Sequence, residues 1–97
     1  MELEAWREQI QAAIADPRRR QLAHIAILEV AMTIGRALEA RGVPQNRVNQ
    51  TTEAVSEYFK GERGELPSGP EGPPITDLVT ETLKRLRREA AFASLFL

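Results

Sequence analysis

The sequence contains no cysteine, which removes several kinds of chemistry from consideration. Without thiols there can be no disulfide framework, no thiol nucleophile and no zinc site built on cysteine ligands. The chain has one histidine, His24, so a metal site within a single chain lacks the usual nitrogen co-ligands. We therefore expect neither a bound metal nor a cofactor, and we interpret His24 as a surface or interface residue.

Aromatic residues and net charge are also scarce. Aromatics make up 5% of the 97 residues, so Leu, Ile, Val and Ala must fill the core of the single domain expected over 1–97. Thirteen basic and fourteen acidic residues leave a net charge of −1, which gives no overall attraction to nucleic acid or to anionic membranes. The hydrophobic content of 42% is ordinary for a folded chain.

Long uncharged apolar segments are missing as well. The N-terminus has no basic region followed by an apolar run, which is the pattern of a signal peptide. No uncharged apolar stretch approaches the roughly 20 residues that span a bilayer. These absences predict a cytoplasmic protein that does not contact a membrane.

The sequence does contain the periodicity of helices. Apolar residues recur at helical spacing over about 2–15, 17–41, 45–60 and 76–96, which predicts four helices in a small all-α bundle. Four of the six prolines and four of the six glycines fall within 61–74. This concentration predicts a long loop or tether before the last helix.

The second predicted helix carries the most informative pattern. Asp16 and Pro17 are typical of a helix start, and Gly42 followed by Pro44 is typical of a helix end. Its apolar residues form two stripes on nearly opposite sides, one of Ala23, Ile27, Val30, Ile34 and Leu38 and the other of Ile25, Leu28 and Met32. A helix that is apolar on two sides has to be covered on two sides, which favours a partner subunit.

The chain closes with an uncharged apolar tail, "AAFASLFL". This tail either packs into the chain's own core or docks on another subunit, and exposed apolar patches of this kind are rare on soluble monomers. Together with the two-sided helix, it favours a non-enzymatic protein that works by self-association or by binding another protein, as an assembly, adaptor or regulatory component. The predicted interaction residues are Ile25, Leu28, Met32, Phe92, Phe96 and Leu97.

A helix-turn-helix DNA-binding protein that dimerises through its other helices is the alternative. Gly42, Val43 and Val48 match that pattern, with a turn at 42–45 and a reading helix at 46–59, but Thr51 is polar where an apolar anchor is expected. The candidate base contacts are Asn46, Arg47, Asn49 and Gln50, whose side chains can bond to base edges. The candidate phosphate contacts are Arg18, Arg19, Arg20, Arg85 and Arg88.

The local charge disfavours this alternative. Residues 43–77 hold three basic side chains (Arg47, Lys60, Arg63) and six acidic ones (Glu53, Glu57, Glu62, Glu65, Glu71, Asp77). Neutralisation of phosphates supplies most of the affinity for DNA, and this segment is poorly equipped for it. An ordinary helix stop at Gly-Val-Pro explains the same residues.

Catalysis has little support in the sequence. There is no arrangement of serine, histidine and acid, no phosphate-binding glycine loop and no paired carboxylates in a known motif. Glu29, which is bordered by apolar residues, is expected to pair with an arginine, either Arg36 or one near the N-terminus. We therefore predict that the protein is not an enzyme.

Overall fold

The computed structural model describes residues 2–68 and 75–96, and every regular element in this part of the chain is helical. The α-helices are α1 (Glu2–Ala15), α2 (Arg20–Glu39), α3 (Gln45–Lys60) and α4 (Ile75–Arg88), followed by a C-terminal 3₁₀ helix (Ala90–Leu95). The predicted all-α bundle is confirmed. Residues 69–74 of the predicted loop lie outside the described residues, as does Leu97.

Helix α2 is the central element of the bundle. It packs against α1, α3, α4 and the 3₁₀ helix, and α3 is its most extensive neighbour. Its first predicted stripe is buried in the core, and the exposed fractions of Val30, Ile34 and Leu38 are all 0%. The other helices each contribute one apolar side, including Ile10 from α1, Phe59 from α3 and Leu86 from α4.

The start of α2 differs from the prediction. The helix begins at Arg20 rather than at residue 17, and residues 17–19 form a turn. Asp16 stabilises this turn, because its Oδ1 accepts a bond from the Arg18 N–H at 3.0 Å and its Oδ2 accepts one from Arg19 Nε at 2.8 Å. The carboxylate therefore caps a turn between two helices, where the sequence predicted the first turn of a long helix.

The predicted end of α2 at Gly42 is confirmed within two residues. Gly42 adopts φ of 79°, a left-handed conformation that favours glycine. The Val43 N–H donates to the Leu38 carbonyl at 3.2 Å, and the Gly42 N–H donates to the Glu39 carbonyl at 3.0 Å. These two bonds satisfy the last carbonyls of α2 and turn the chain directly into α3.

The last predicted helix, 76–96, is broken in the structure. Glu89 has extended backbone angles, φ −85° and ψ 129°, and separates α4 from the 3₁₀ helix. Beyond it the buried residues are Phe92 and Leu95, three positions apart, whereas Ala90 and Ala93, which a continuous α-helix would place on the same side as the buried Leu86, are exposed. A 3₁₀ helix repeats every three residues, so the change of helix type turns both large side chains toward the core.

Within residues 2–68 and 75–96, α2 alone is long and apolar enough to cross a membrane by length and composition. Of its most apolar 18-residue window, 44% is buried inside the molecule, and the core helix of a soluble protein passes the same test. The absence of membrane contact stays a prediction.

The position of Phe59 gives a direct test of this core. Phe59 is fully buried and its ring meets that of Tyr58 edge to face, with centroids 5.1 Å apart. Truncation to alanine leaves a cavity, so we expect Phe59→Ala to lower the free energy of unfolding by about 3–5 kcal/mol in urea denaturation. The exposed Gln50→Ala on the same helix should change it by less than about 0.5 kcal/mol. A loss below about 1 kcal/mol for Phe59→Ala would contradict the packing described here.

The turn at Asp16 predicts a pH-dependent contribution to stability. The bond from Arg19 and the Arg18 N–H hold the pKa of the Asp16 carboxyl below its usual 3.8. A depressed pKa in the folded state stabilises the fold at pH above the unfolded value, and this stabilisation is lost as the pH falls through the folded value.

We therefore expect Asp16→Asn to unfold at lower urea concentration than the wild type at about pH 7, where the free carboxyl is ionised. The difference between the two midpoints should shrink as the pH falls below 3.8 and through the lower pKa that the carboxyl has in the folded state. A difference that stays constant across this range would show that the charge of Asp16 is not its source.

Candidate interaction surface

Three large apolar side chains of α2 point away from the core. The exposed fractions are 47% for Ile25, 58% for Leu28 and 42% for Met32, and these are the exposed large hydrophobic residues of the described chain. We call them the α2 stripe. The sequence predicted this stripe from its spacing, opposite to the buried one.

A groove runs beside the α2 stripe, between α2 and α3, with a cavity volume of about 480 Å³. Leu28 and Met32 form its wall on the α2 side, and Ala31, Gly35 and Val48 lie deeper between the two helices. Its rim is polar and consists of Arg36, Glu39, Gln45, Asn49, Thr52, Glu53 and Ser56. The stripe and the groove therefore form one continuous surface with an apolar centre and a polar border.

Gly35 shapes the deepest part of this groove. A Cβ atom at this position would lie 3.2 Å from Thr52 Cγ2 and 3.7 Å from Val48 Cγ1 of α3. The absence of a side chain at Gly35 thus lets α3 approach α2 closely at the base of the groove. Sequence reasoning missed Gly35, although a glycine inside a helix is unfavourable by about 1 kcal/mol and usually has a packing reason.

An ion-pair network borders the opposite side of the α2 stripe. Arg85 of α4 places Nη2 at 3.4 Å from Glu29 Oε1 and Nη1 at 3.0 Å from Glu89 Oε1. Its Nη2 also donates to Thr33 Oγ1 at 3.3 Å. Glu29 pairs with an arginine as predicted, but the partner is Arg85 rather than Arg36 or an N-terminal arginine. Arg36 is exposed on the rim of the groove.

The apolar tail contributes little to the exposed surface. Phe92 is 8% exposed and Leu95 is 1% exposed, and Phe96 is partly buried against the same core. Of the two alternatives for the tail, the structure has the one in which it packs into the chain's own core. Phe92 therefore offers almost no surface to a partner, and Leu97, the last predicted contact, lies outside the described residues.

Several predicted phosphate contacts bond within the chain. Arg19 Nη1 donates to the Ser94 carbonyl at 3.0 Å, and Arg20 Nε donates to the Ile14 carbonyl at 2.8 Å. Arg85 belongs to the network with Glu29, and Arg88 Nε donates to the Lys84 carbonyl at 3.1 Å. The side chain of Arg18 is exposed, and its backbone N–H is bonded to Asp16.

The candidate reading helix has exposed polar side chains, but one of them is already hydrogen-bonded within the helix. Asn46, Arg47, Asn49 and Gln50 are all exposed, as the DNA alternative requires. Asn49 Oδ1 already accepts a bond from Gln45 Nε2 at 2.9 Å. Thr51, at the anchor position, is only 7% exposed. Its hydroxyl can be buried there because it donates a hydrogen bond to the Arg47 carbonyl at 2.9 Å.

Titratable side chains do not cluster into a metal site in the part of the chain that the structure describes. His24 is exposed on α2, as the sequence predicted. Burial raises the pKa of the buried Tyr58 phenol above its usual 10.0, while the neighbouring Arg7 acts in the opposite direction. Arg7 lies 4.2 Å above the Tyr58 ring, a contact that holds α1 against α3.

Comparisons with known proteins found no match: no family model, no curated protein and no solved structure resembles this chain.

The internal bonds of the arginines lead to a prediction about DNA. Because Arg19, Arg20 and Arg85 are bonded to groups of the chain itself, these predicted phosphate contacts are less available to replace the counterions of a duplex. We expect no change in the fluorescence anisotropy of a labelled mixed-sequence duplex when the protein is added at low salt. Binding that weakens steeply with salt would contradict this expectation and would revive the helix-turn-helix alternative.

Proposed function

We propose that this protein is a non-enzymatic helical module that acts through self-association and protein–protein interaction. Its contact surface is the α2 stripe with the adjoining groove between α2 and α3. The observation that carries the proposal is the exposure of Ile25, Leu28 and Met32, three large apolar residues of one helix that are between 42% and 58% accessible.

The energetics of the stripe support a docking role. Removing a Leu, Ile or Met side chain from water is favourable by about 1.5–3 kcal/mol when burial is complete, and these three are roughly half-exposed. Their remaining accessible area lies on one side of one helix, next to the groove, so a single partner could cover all of it. A central apolar patch with a polar rim is also the usual composition of a protein interface.

The polar groups on the rim of the groove favour binding of a specific partner over non-specific apolar association. Arg36 carries a positive charge, whereas Glu39 and Glu53 carry negative charges, and the amides of Gln45 and Asn49 add hydrogen-bonding groups. A border with both signs of charge favours partners whose own charges are arranged to match. It disfavours a uniformly charged partner such as nucleic acid.

Replacing the stripe with charge tests the proposal. We expect Leu28→Glu/Met32→Glu to weaken self-association about tenfold or more, since each 1.4 kcal/mol of lost contact energy corresponds to a factor of ten. Sedimentation velocity over a wide concentration range measures the effect. The helical circular dichroism signal should remain, because both residues are exposed in the folded chain.

Gln50→Glu provides the matched control. It adds a negative charge at an exposed position of α3 that does not line the groove. This variant should associate like the wild type. Wild-type protein that stays monomeric at all concentrations would contradict self-association, and a dimer unaffected by the double substitution would contradict the assignment of the α2 stripe.

A further inference from the structure

We propose that the partner on this surface is a second copy of the chain, related by a two-fold axis near Leu28, with the two α2 helices antiparallel. Leu28 and Met32 of each copy would enter the α2–α3 groove of the other. This inference rests on the proposed function, because it specifies which partner covers the α2 stripe and in which orientation.

The surface contains both halves of such a contact. A two-fold interface uses the same patch on both copies, so the patch must be complementary to itself. Here Leu28 and Met32 are exposed at the wall of the groove, and the groove beside them has a cavity volume of about 480 Å³. Projecting side chains and a receiving space thus lie next to each other on one surface.

The spacing along α2 is that of a helix-pairing seam. Ile25, Leu28, Met32 and Gly35 are separated by three, four and three residues, which is the alternation found where two helices pack side by side. Glu39 continues this seam four residues beyond Gly35. The seam is therefore apolar at its centre and charged at its C-terminal end.

The apolar tail of the chain is not available to cover the stripe. Phe92 and Leu95 lie in the core, and Phe96 packs against it. A second copy of the chain supplies a matching apolar stripe that would cover Ile25, Leu28 and Met32.

The charges of the seam decide the orientation. In a parallel pair, Glu39 would face Glu39 of the second copy and Arg36 would lie level with Arg36, so like charges would meet. In an antiparallel pair, Glu39 lies about 16.5 Å from the axis, just beyond the N-terminal end of α2 in the second copy, whose first residue, Arg20, lies at about 12 Å. Antiparallel helices also place opposite ends of their dipoles together.

Engineered cysteines test this geometry on a background without native thiols. A disulfide needs Cα atoms within about 4.4–6.8 Å of each other. With the axis near Leu28, the two copies of residue 25 are offset by about 9 Å along the helices and those of residue 32 by about 12 Å, whereas residue 28 has almost no offset.

The expected pattern of cross-links under mild oxidation follows from these offsets. Leu28→Cys should form a covalent dimer by itself. Ile25→Cys and Met32→Cys should not do so alone, but an equimolar mixture of the two should. Gln50→Cys, exposed on α3 outside the groove, measures the background from random collisions.

A second measurement, the change in dimer affinity caused by Glu39→Gln, has opposite signs for an antiparallel and a parallel pair of α2 helices. Glu39→Gln should weaken an antiparallel dimer by roughly two- to fivefold, because the attraction to the basic end of the second α2 is lost. The same substitution should tighten a parallel dimer, in which it removes a repulsion. Sedimentation at low salt reports the sign.

The outcomes separate this inference from the proposed function. Efficient self-cross-linking of Ile25→Cys and Met32→Cys, or tightening by Glu39→Gln, would overturn the antiparallel arrangement while self-association stands. A dimer in which no stripe cysteine exceeds the Gln50→Cys background would overturn the proposed axis. Protein that is monomeric at every concentration would overturn the proposed function and this inference together.

Discussion

The need to cover an apolar helix on nearly all sides governs this structure. Helix α2 has fully buried residues such as Val30 and Ile34 on one side and half-exposed ones such as Leu28 on the other. A chain of 97 residues has little material to surround such a helix, because small domains bury a smaller fraction of their surface. The neighbouring helices complete the core and leave the α2 stripe uncovered.

Long-range contacts of arginines connect the elements around this helix to one another. Arg19 connects the turn before α2 to the 3₁₀ helix through the Ser94 carbonyl, and Arg7 of α1 donates to the carbonyls of Tyr58 and Arg63 at 3.0 and 2.8 Å. Arg87 lies 4.9 Å above the Trp6 ring and connects α4 to α1. Arg7, Arg19 and Arg87 are thus part of the architecture of the chain itself.

The sequence was sufficient to predict those features of the fold that depend on residues close together in the chain. Helical periodicity predicted the helices and the α2 stripe, and Gly42 predicted the end of α2 because glycine readily adopts the left-handed conformation found there. The start of α2 was misplaced because Asp16 and Pro17 suit both a helix start and a turn between helices. The break at Glu89 was not predicted, since the 3₁₀ helix beyond it packs on the core and is bonded to Arg19, 75 residues away in the chain. The groove was missed for the same reason, because its shape depends on how closely α3 approaches Gly35.

The α2 stripe and Gly35 are hard to explain by the stability of a single chain alone. Polar side chains at 25, 28 and 32 would leave the described core intact, because these positions are largely exposed. Gly35 lowers the helical preference of α2 by about 1 kcal/mol relative to alanine, a local disadvantage offset by close contact with α3. Both features become useful on one surface if another helix packs there, because the stripe supplies the contact area and the close approach at Gly35 forms the base of the groove beside it. Their adjacency is therefore the strongest structural reason to regard this face as an interface.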